Sequence, residues 1–142
     1  MSGERQKMRR LVRLELVRSA ALRAAEARLS SASALARAAD ARRELVHDLI
    51  VANRTESGLV SHAMLRGAAG LRHLLQAALT DATSLAEERN RAREAAMQAF
   101  AQAQGRKERT RSDLALTIAR AEADAEERER ADQIPARRKV KP

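Results

Sequence analysis

The stretch "HDLIVANRTESGLVSHAMLRGAAGLRHLL", residues 47–75, decides how this chain is built. It holds all three histidines (His47, His62, His73) and three of the five glycines (Gly58, Gly67, Gly70). On either side the chain is charged and alanine-rich, and no proline occurs between Met1 and Ile134. Ala, Leu, Arg, Glu and Gln, the residues that dominate it, are strong helix formers. The interruption therefore reads as a reversal between two long helices.

The flanking segments carry matching seams. In the first, Leu22, Ala25, Leu29, Ala32, Ala36, Ala39, Arg43, Val46 and Ile50 alternate by three and four, a heptad rhythm. In the second, Leu71, Leu75, Ala78, Ala82, Leu85, Arg89, Ala92, Ala96, Ala99 and Ala103 do the same. Gly105 then breaks the rhythm, and Leu114, Ile118, Ala121 and Ala125 resume it out of phase, which predicts a stutter. Asn53, Thr55, Ser57 and Gly58 are helix-end and turn residues. The sequence predicts helix 1 over about 4–53, a link with some helix over about 54–69, and helix 2 over about 70–132. Ile134-Pro135 ends the second helix, because proline disfavours helical geometry in the residue before it. A disordered basic tail is expected over 135–142. The fold class is all-α: one antiparallel coiled-coil hairpin over 1–142. A single continuous helix pairing with a second chain is the rival architecture.

Composition limits what such a chain can hold inside. The hydrophobic fraction is 44%, but much of it is alanine, with one Phe (Phe100) and neither Trp nor Tyr. Large aliphatic side chains contribute roughly 1.5–3 kcal/mol each when buried, and few are available. A thin seam can be filled; a thick core cannot. Absence of cysteine excludes disulfides and thiolate chemistry within the chain. No apolar run is long enough to span a membrane, and the N-terminus lacks the apolar stretch of a secretory signal.

Charge is uneven. Residues 1–54 carry 12 basic and 6 acidic side chains, residues 55–105 carry 5 and 5, and residues 106–142 carry 11 and 8. The middle is neutral and both ends are basic. The N-terminal "RQKMRRLVRLELVR" places Met8, Leu11, Leu14 and Val17 among arginines on a helix. Such a face suits lipid headgroups or phosphates, an acidic protein surface, or plain solvation. Nucleic acid is not expected as a partner, because stacking aromatics for single strands and a recognisable reading motif are both missing.

Catalytic constellations are not apparent, and a non-enzymatic protein without cofactor or metal is expected. The histidines are 15 and 11 residues apart, unlike helical zinc-ligand spacing. The acidic run "EADAEERERAD", 122–132, reads as a solvated helix face with pairs such as Glu126–Arg130. "RGAAG" lacks the lysine of a phosphate loop, and Ser30, Ser31 and Ser33 have no base partner in sight. The "LRHLLQAAL" stretch, 71–79, has more leucine than a seam needs: Leu75 faces inward and Leu74 lies to one side. It suits either a well-packed hairpin end or a docking patch.

The layout as a whole resembles the small stalk proteins of bacterial type III export, the FliJ-like family of flagellar and virulence systems. The likeness lies in the basic start "KMRRLVRLELVR", the glycine-bearing link, the leucine-rich "GLRHLLQAAL", and "RKERTRSDLALTIARAEADAEERERADQI", with Lys107, Glu108, Glu127 and Asp132 in comparable places. The resemblance implies a cytoplasmic stalk, peripheral at the inner-membrane export apparatus. Its basic end, with Arg5, Arg9, Arg10, Arg13, Arg120 and Arg128, would sit within the hexameric export ATPase. Its turn end, with Leu45, Leu49, Leu71, Leu74, Leu75 and Ala78, would meet the cytoplasmic domain of the export gate. Escort of export chaperones is a further implication. The aromatic residues common near that family's turn are absent here, so leucines would have to substitute. A generic coiled-coil scaffold and a basic membrane-surface adaptor are the alternatives.

Overall fold

A computed structural model describes residues 2–55 and 62–134, with the side chains of Thr55, His62 and Ala63 left aside. The fold is all-α. Helix α1 spans Ser2–Thr55 and helix α2 spans His62–Gln133, and the two pack against each other as a helical hairpin. Among the described residues no helix is long and apolar enough to cross a membrane.

The link differs from the sequence expectation. Helix α2 begins at His62 rather than near 70, so Gly67 and Gly70 lie inside it. Neither needs a special backbone: no glycine among the described residues has positive φ. Asn53 and Thr55 belong to α1, whereas Ser57 and Gly58 and the basic tail 135–142 lie outside the described residues.

The seam of α1 is longer than expected. Met8, Leu11, Glu15, Arg18, Leu22, Ala25, Leu29, Ala32, Ala36, Ala39, Val46, Ile50 and Asn53 are buried or half-buried. With Arg43 filling its gap, this is one unbroken alternation of three and four. Every seam position expected over 22–50 holds except Arg43, whose side chain is 44% exposed.

The seam of α2 corrects the sequence reading. Residues 75, 79, 82, 86, 89, 93, 96, 100, 103, 107, 110, 114, 117, 121 and 124 are all buried or half-buried, again alternating by four and three. No stutter occurs, and the helix passes through Gly105 in the same rhythm. Ala92 and Ala99 are exposed, while their neighbours Arg93 and Phe100 turn inward. Likewise Ile118 and Ala125 give way to Thr117 and Asp124. A search for apolar spacing is drawn to alanine and misses a seam occupied by Arg, Lys and Thr. The stems of Arg and Lys can line an apolar contact while the charge reaches water.

By internal contact the chain divides into two units. Unit 1 is built from the described residues of Met1–Arg23 and Gln102–Pro142; unit 2 is Ala24–Ala101. In unit 2 the helices run antiparallel: Asp40 meets Asn90, and Ile50 lines a cavity with Leu75. Its buried residues are Ala25, Ala36, Ala39, Ile50, Ala82 and Ala86. An alanine offers one methyl group, about 0.8 kcal/mol of burial, so close backbone approach stands in for bulk. Unit 1 is built differently. Its buried residues, among those described, are Thr110 and Thr117.

Candidate functional site

In unit 1 the polar side chains Thr110, Thr117 and Arg18 of the seam bond to backbone carbonyls of α2. Thr110 Oγ1 donates to the Arg106 carbonyl at 3.0 Å, and Thr117 Oγ1 donates to the Asp113 carbonyl at 2.8 Å. These are bonds within one helix turn, which leave the threonine methyl groups to pack. Arg18 reaches across from α1 and donates through Nη1 to that same Arg106 carbonyl at 2.7 Å. A charged donor makes this a strong contact.

Several large apolar side chains of unit 1 stand outside the seam. Leu16 and Val17 are 66% and 64% exposed, and Leu116 is 57% exposed. The N-terminal face expected from Met8, Leu11, Leu14 and Val17 is thus split. Met8 and Leu11 enter the seam, Leu14 is borderline and Val17 faces solvent. Around them Arg5, Arg9, Arg10 and Arg13 are exposed on α1, and Arg120 and Arg128 are exposed on α2. Unit 1 counts 18 Lys and Arg against 10 Asp and Glu, net +8. The expected Glu126–Arg130 pair is present at 3.6 Å.

Unit 2 counts 10 Lys and Arg against 9 Asp and Glu, net +1. Its two flanks differ. With a and d in the seam, one flank is formed by the e positions of both helices. There Asn90 donates to Asp40 Oδ1 at 3.1 Å, and Arg43, Glu87, Arg91 and Glu94 line a cavity beside them. Arg93 also lines this cavity, and its Nε is buried without a hydrogen-bond partner among the described residues.

The opposite flank, formed by the g positions, is apolar. A shallow groove runs there between Ala27, Arg28, Ser31, Ala32 and Leu35 of α1 and Arg89 and Ala92 of α2. Leu35, Leu49 and Leu71 occupy g positions on this flank, and Leu45 and Leu74 the neighbouring c positions. Their exposures are 48%, 49%, 47%, 60% and 70%. The six residues expected at the turn end, Leu45, Leu49, Leu71, Leu74, Leu75 and Ala78, all belong to unit 2. Leu75 and Ala78 are half-buried and the other four are exposed. Leu71, assigned to the seam by its spacing, instead borders it. Leu35 was not singled out by the sequence, although its spacing of 14 residues from Leu49 repeats the same heptad position.

No protein-family model matches the chain, and neither a curated protein nor a solved structure matches it. Among the described residues no group of three or more His, Cys, Asp or Glu is placed to hold a metal ion.

Proposed function

We propose that this chain is a non-enzymatic stalk or adaptor of a bacterial type III protein export apparatus, joining the export ATPase ring to the cytoplasmic domain of the export gate. The observation that carries the reading is the division of labour between the units. Unit 1 is strongly basic, and unit 2 is nearly neutral with exposed leucines. A shaft seated in a ring needs a charged, hydrated surface that holds orientation without sticking. A docking tip needs apolar anchors that desolvate on contact. The layout shared with FliJ-like proteins supports the assignment of the basic unit to the ring, the leucine-bearing unit to the gate, and an accessory role with export chaperones. A cytoplasmic location at the inner membrane follows from the same reading.

The test is binding of the purified chain to a purified export ATPase. Reversal of Arg9, Arg10 and Arg13 to glutamate should weaken binding at least tenfold, and added salt should weaken the parent complex in parallel. Affinity that is indifferent to both changes removes the electrostatic basis of the assignment. Vesicles of anionic lipid serve as the comparison. Salt-sensitive capture by vesicles in place of the ring would favour the membrane-surface adaptor, for which Val12 and Leu16 beside Arg5, Arg9 and Arg13 provide an amphipathic face.

A further inference from the structure

We propose that the apolar flank of unit 2 is self-complementary and pairs with the same flank of a second copy, forming a four-helix dimer in which α1 of each copy lies on α2 of the other.

Three observations on unit 2 point to this occupant. The first is apolar exposure weighted to one flank, the other exposing Met97 and Val51. Leu35 and Leu49 on α1 and Leu71 on α2 border the seam at equivalent heptad positions, and each is about half exposed. At the same heptad position of α2, beside and beyond Leu35, are Ala92 and Ala99, also exposed. Alanine at these positions lets a further helix approach closely, as it does in the seam itself. Helix α2 is therefore apolar at three of its seven heptad positions. That width suits a helix packed against two neighbours rather than one.

The second is charge. The flank carries Arg28 and Arg42 on α1 and Asp81 and Glu88 on α2, all exposed. Apart from Arg89, a half-buried seam residue of α2 that also lines the groove, each helix has one sign of charge here, and the two signs are opposite. Asp40 bonds Asn90, and Arg43 shares a cavity with Glu87, so Arg42 is level with the stretch between Asp81 and Glu88. A two-fold axis parallel to the helices preserves that level. It sets Arg42 of one copy between Asp81 and Glu88 of the second copy, twice over. The alternative axis, perpendicular to the helices, stacks α1 on α1 and opposes like charges. Arg28 lies level with Ala95 and Ala99 and reaches past them to solvent.

The third is area. About 28 residues of each helix share this flank, roughly 42 Å at 1.5 Å per residue, and two helices are about 20 Å wide. The contact would cover on the order of 800 Å² per copy, the size of a standard stable interface. The proposal stands without the export reading. If both hold, self-pairing masks the leucines assigned to the gate, and a gate domain must compete with the second copy.

The experiment is sedimentation velocity of the full chain from about 1 to 100 μM, with helicity followed by circular dichroism. A reversible dimer is expected. Leu35→Glu and Leu49→Glu should each weaken it at least tenfold with helicity unchanged, since both side chains are half exposed in the hairpin. Leu16→Glu, in unit 1, should leave it intact. Arg42→Glu should weaken the dimer, and adding Asp81→Arg and Glu88→Arg to that variant should restore it. A chain monomeric at 100 μM overturns the proposal. So does a dimer indifferent to both leucine variants, and a dimer tightened by Arg42→Glu alone would establish the α1-on-α1 arrangement instead.

Discussion

Asn90 donates through Nδ2 to Asp40 Oδ1 at 3.1 Å, and the same amide donates to the Ala86 carbonyl at 2.8 Å. One side chain thereby ties α2 to α1 and to its own preceding turn. Alanine seams specify register weakly, because methyl groups interlock little. A polar pair beside the seam supplies the missing specificity, since a slip of one residue leaves both partners unmatched. Asn90→Ala and Asp40→Ala should each lower stability by about 1 kcal/mol. In a double-mutant cycle the two should be coupled by at least about 0.5 kcal/mol. Strict additivity in thermal unfolding would show that the contact does not stabilise the hairpin.

The seam through the second helix is open to a direct test. Ala86 has no exposed surface, so Ala86→Leu should cost about 1–3 kcal/mol by overpacking. Phe100→Ala should also destabilise, by about 2 kcal/mol or more, because its ring enters the seam. Ala99→Leu, measured at low concentration, should shift stability by no more than about 0.5 kcal/mol. If Ala99→Leu is the damaging change and Phe100→Ala the harmless one, the seam lies where alanine spacing alone would put it.

Much of this architecture is legible in the sequence, and the failures are local. The first seam is readable because alanine, leucine and isoleucine fall at seam positions with one arginine among them. The second is readable at Leu75, Ala82, Arg89, Ala96 and Ala103; Ala78 and Leu85 are half-buried at its edge, and Leu71, Ala92 and Ala99 are misread. There α2 is apolar on both sides of the boundary, and Ala92 and Ala99 are better apolar candidates than Arg93 and Phe100 are seam-spaced ones. Beyond Gly105 the seam mixes Lys107, Thr110 and Thr117 with Leu114 and Ala121, so apolar spacing finds only the latter two. The charge division between the units is plain from composition. The apolar flank of unit 2 is not, because it is defined by which g positions of two distant segments share a side.

Gly105 illustrates the point. It is helical, without positive φ, and a Cβ built there meets nothing within 4 Å. No close approach and no special turn requires glycine. Gly105→Ala should therefore stabilise the protein by roughly 0.5–1 kcal/mol, through helix propensity and a less entropic unfolded chain. A loss of stability in chemical denaturation would indicate a local break in the helix of the kind the sequence rhythm suggests.

Thr110 is 1% exposed, and its hydroxyl bonds only within its own helix, to a carbonyl that Arg18 also engages. Removing the hydroxyl leaves that carbonyl satisfied. Thr110→Val keeps the shape and removes a buried polar group, so it should be neutral or stabilising by up to about 1 kcal/mol. Thr110→Ala leaves a gap instead and should destabilise. The order Val, Thr, Ala in melting temperature is the expected outcome. A valine variant less stable than the alanine one would mean that the hydroxyl, not the methyl, holds this layer together.

The neighbours Leu74 and Leu75 separate folding from docking at the turn end. On a helix they point about 100° apart. Leu75 lines a cavity with Ile50 and Asn53 and is half-buried, whereas Leu74 is 70% exposed. Leu75→Ala should lower stability by about 2 kcal/mol, less than a fully buried leucine would, because the site is partly open. Leu74→Ala should leave melting within about 0.5 kcal/mol of the parent. If the flank is an interaction surface, Leu74→Ala should still weaken association, with a gate domain or with a second copy, by about tenfold, the effect of losing an anchor worth more than about 1 kcal/mol. Leu75→Ala should weaken association only in proportion to the fraction unfolded. Full affinity in the Leu74 variant, beside a Leu75 variant whose binding tracks its folding, would leave these leucines with a packing role alone.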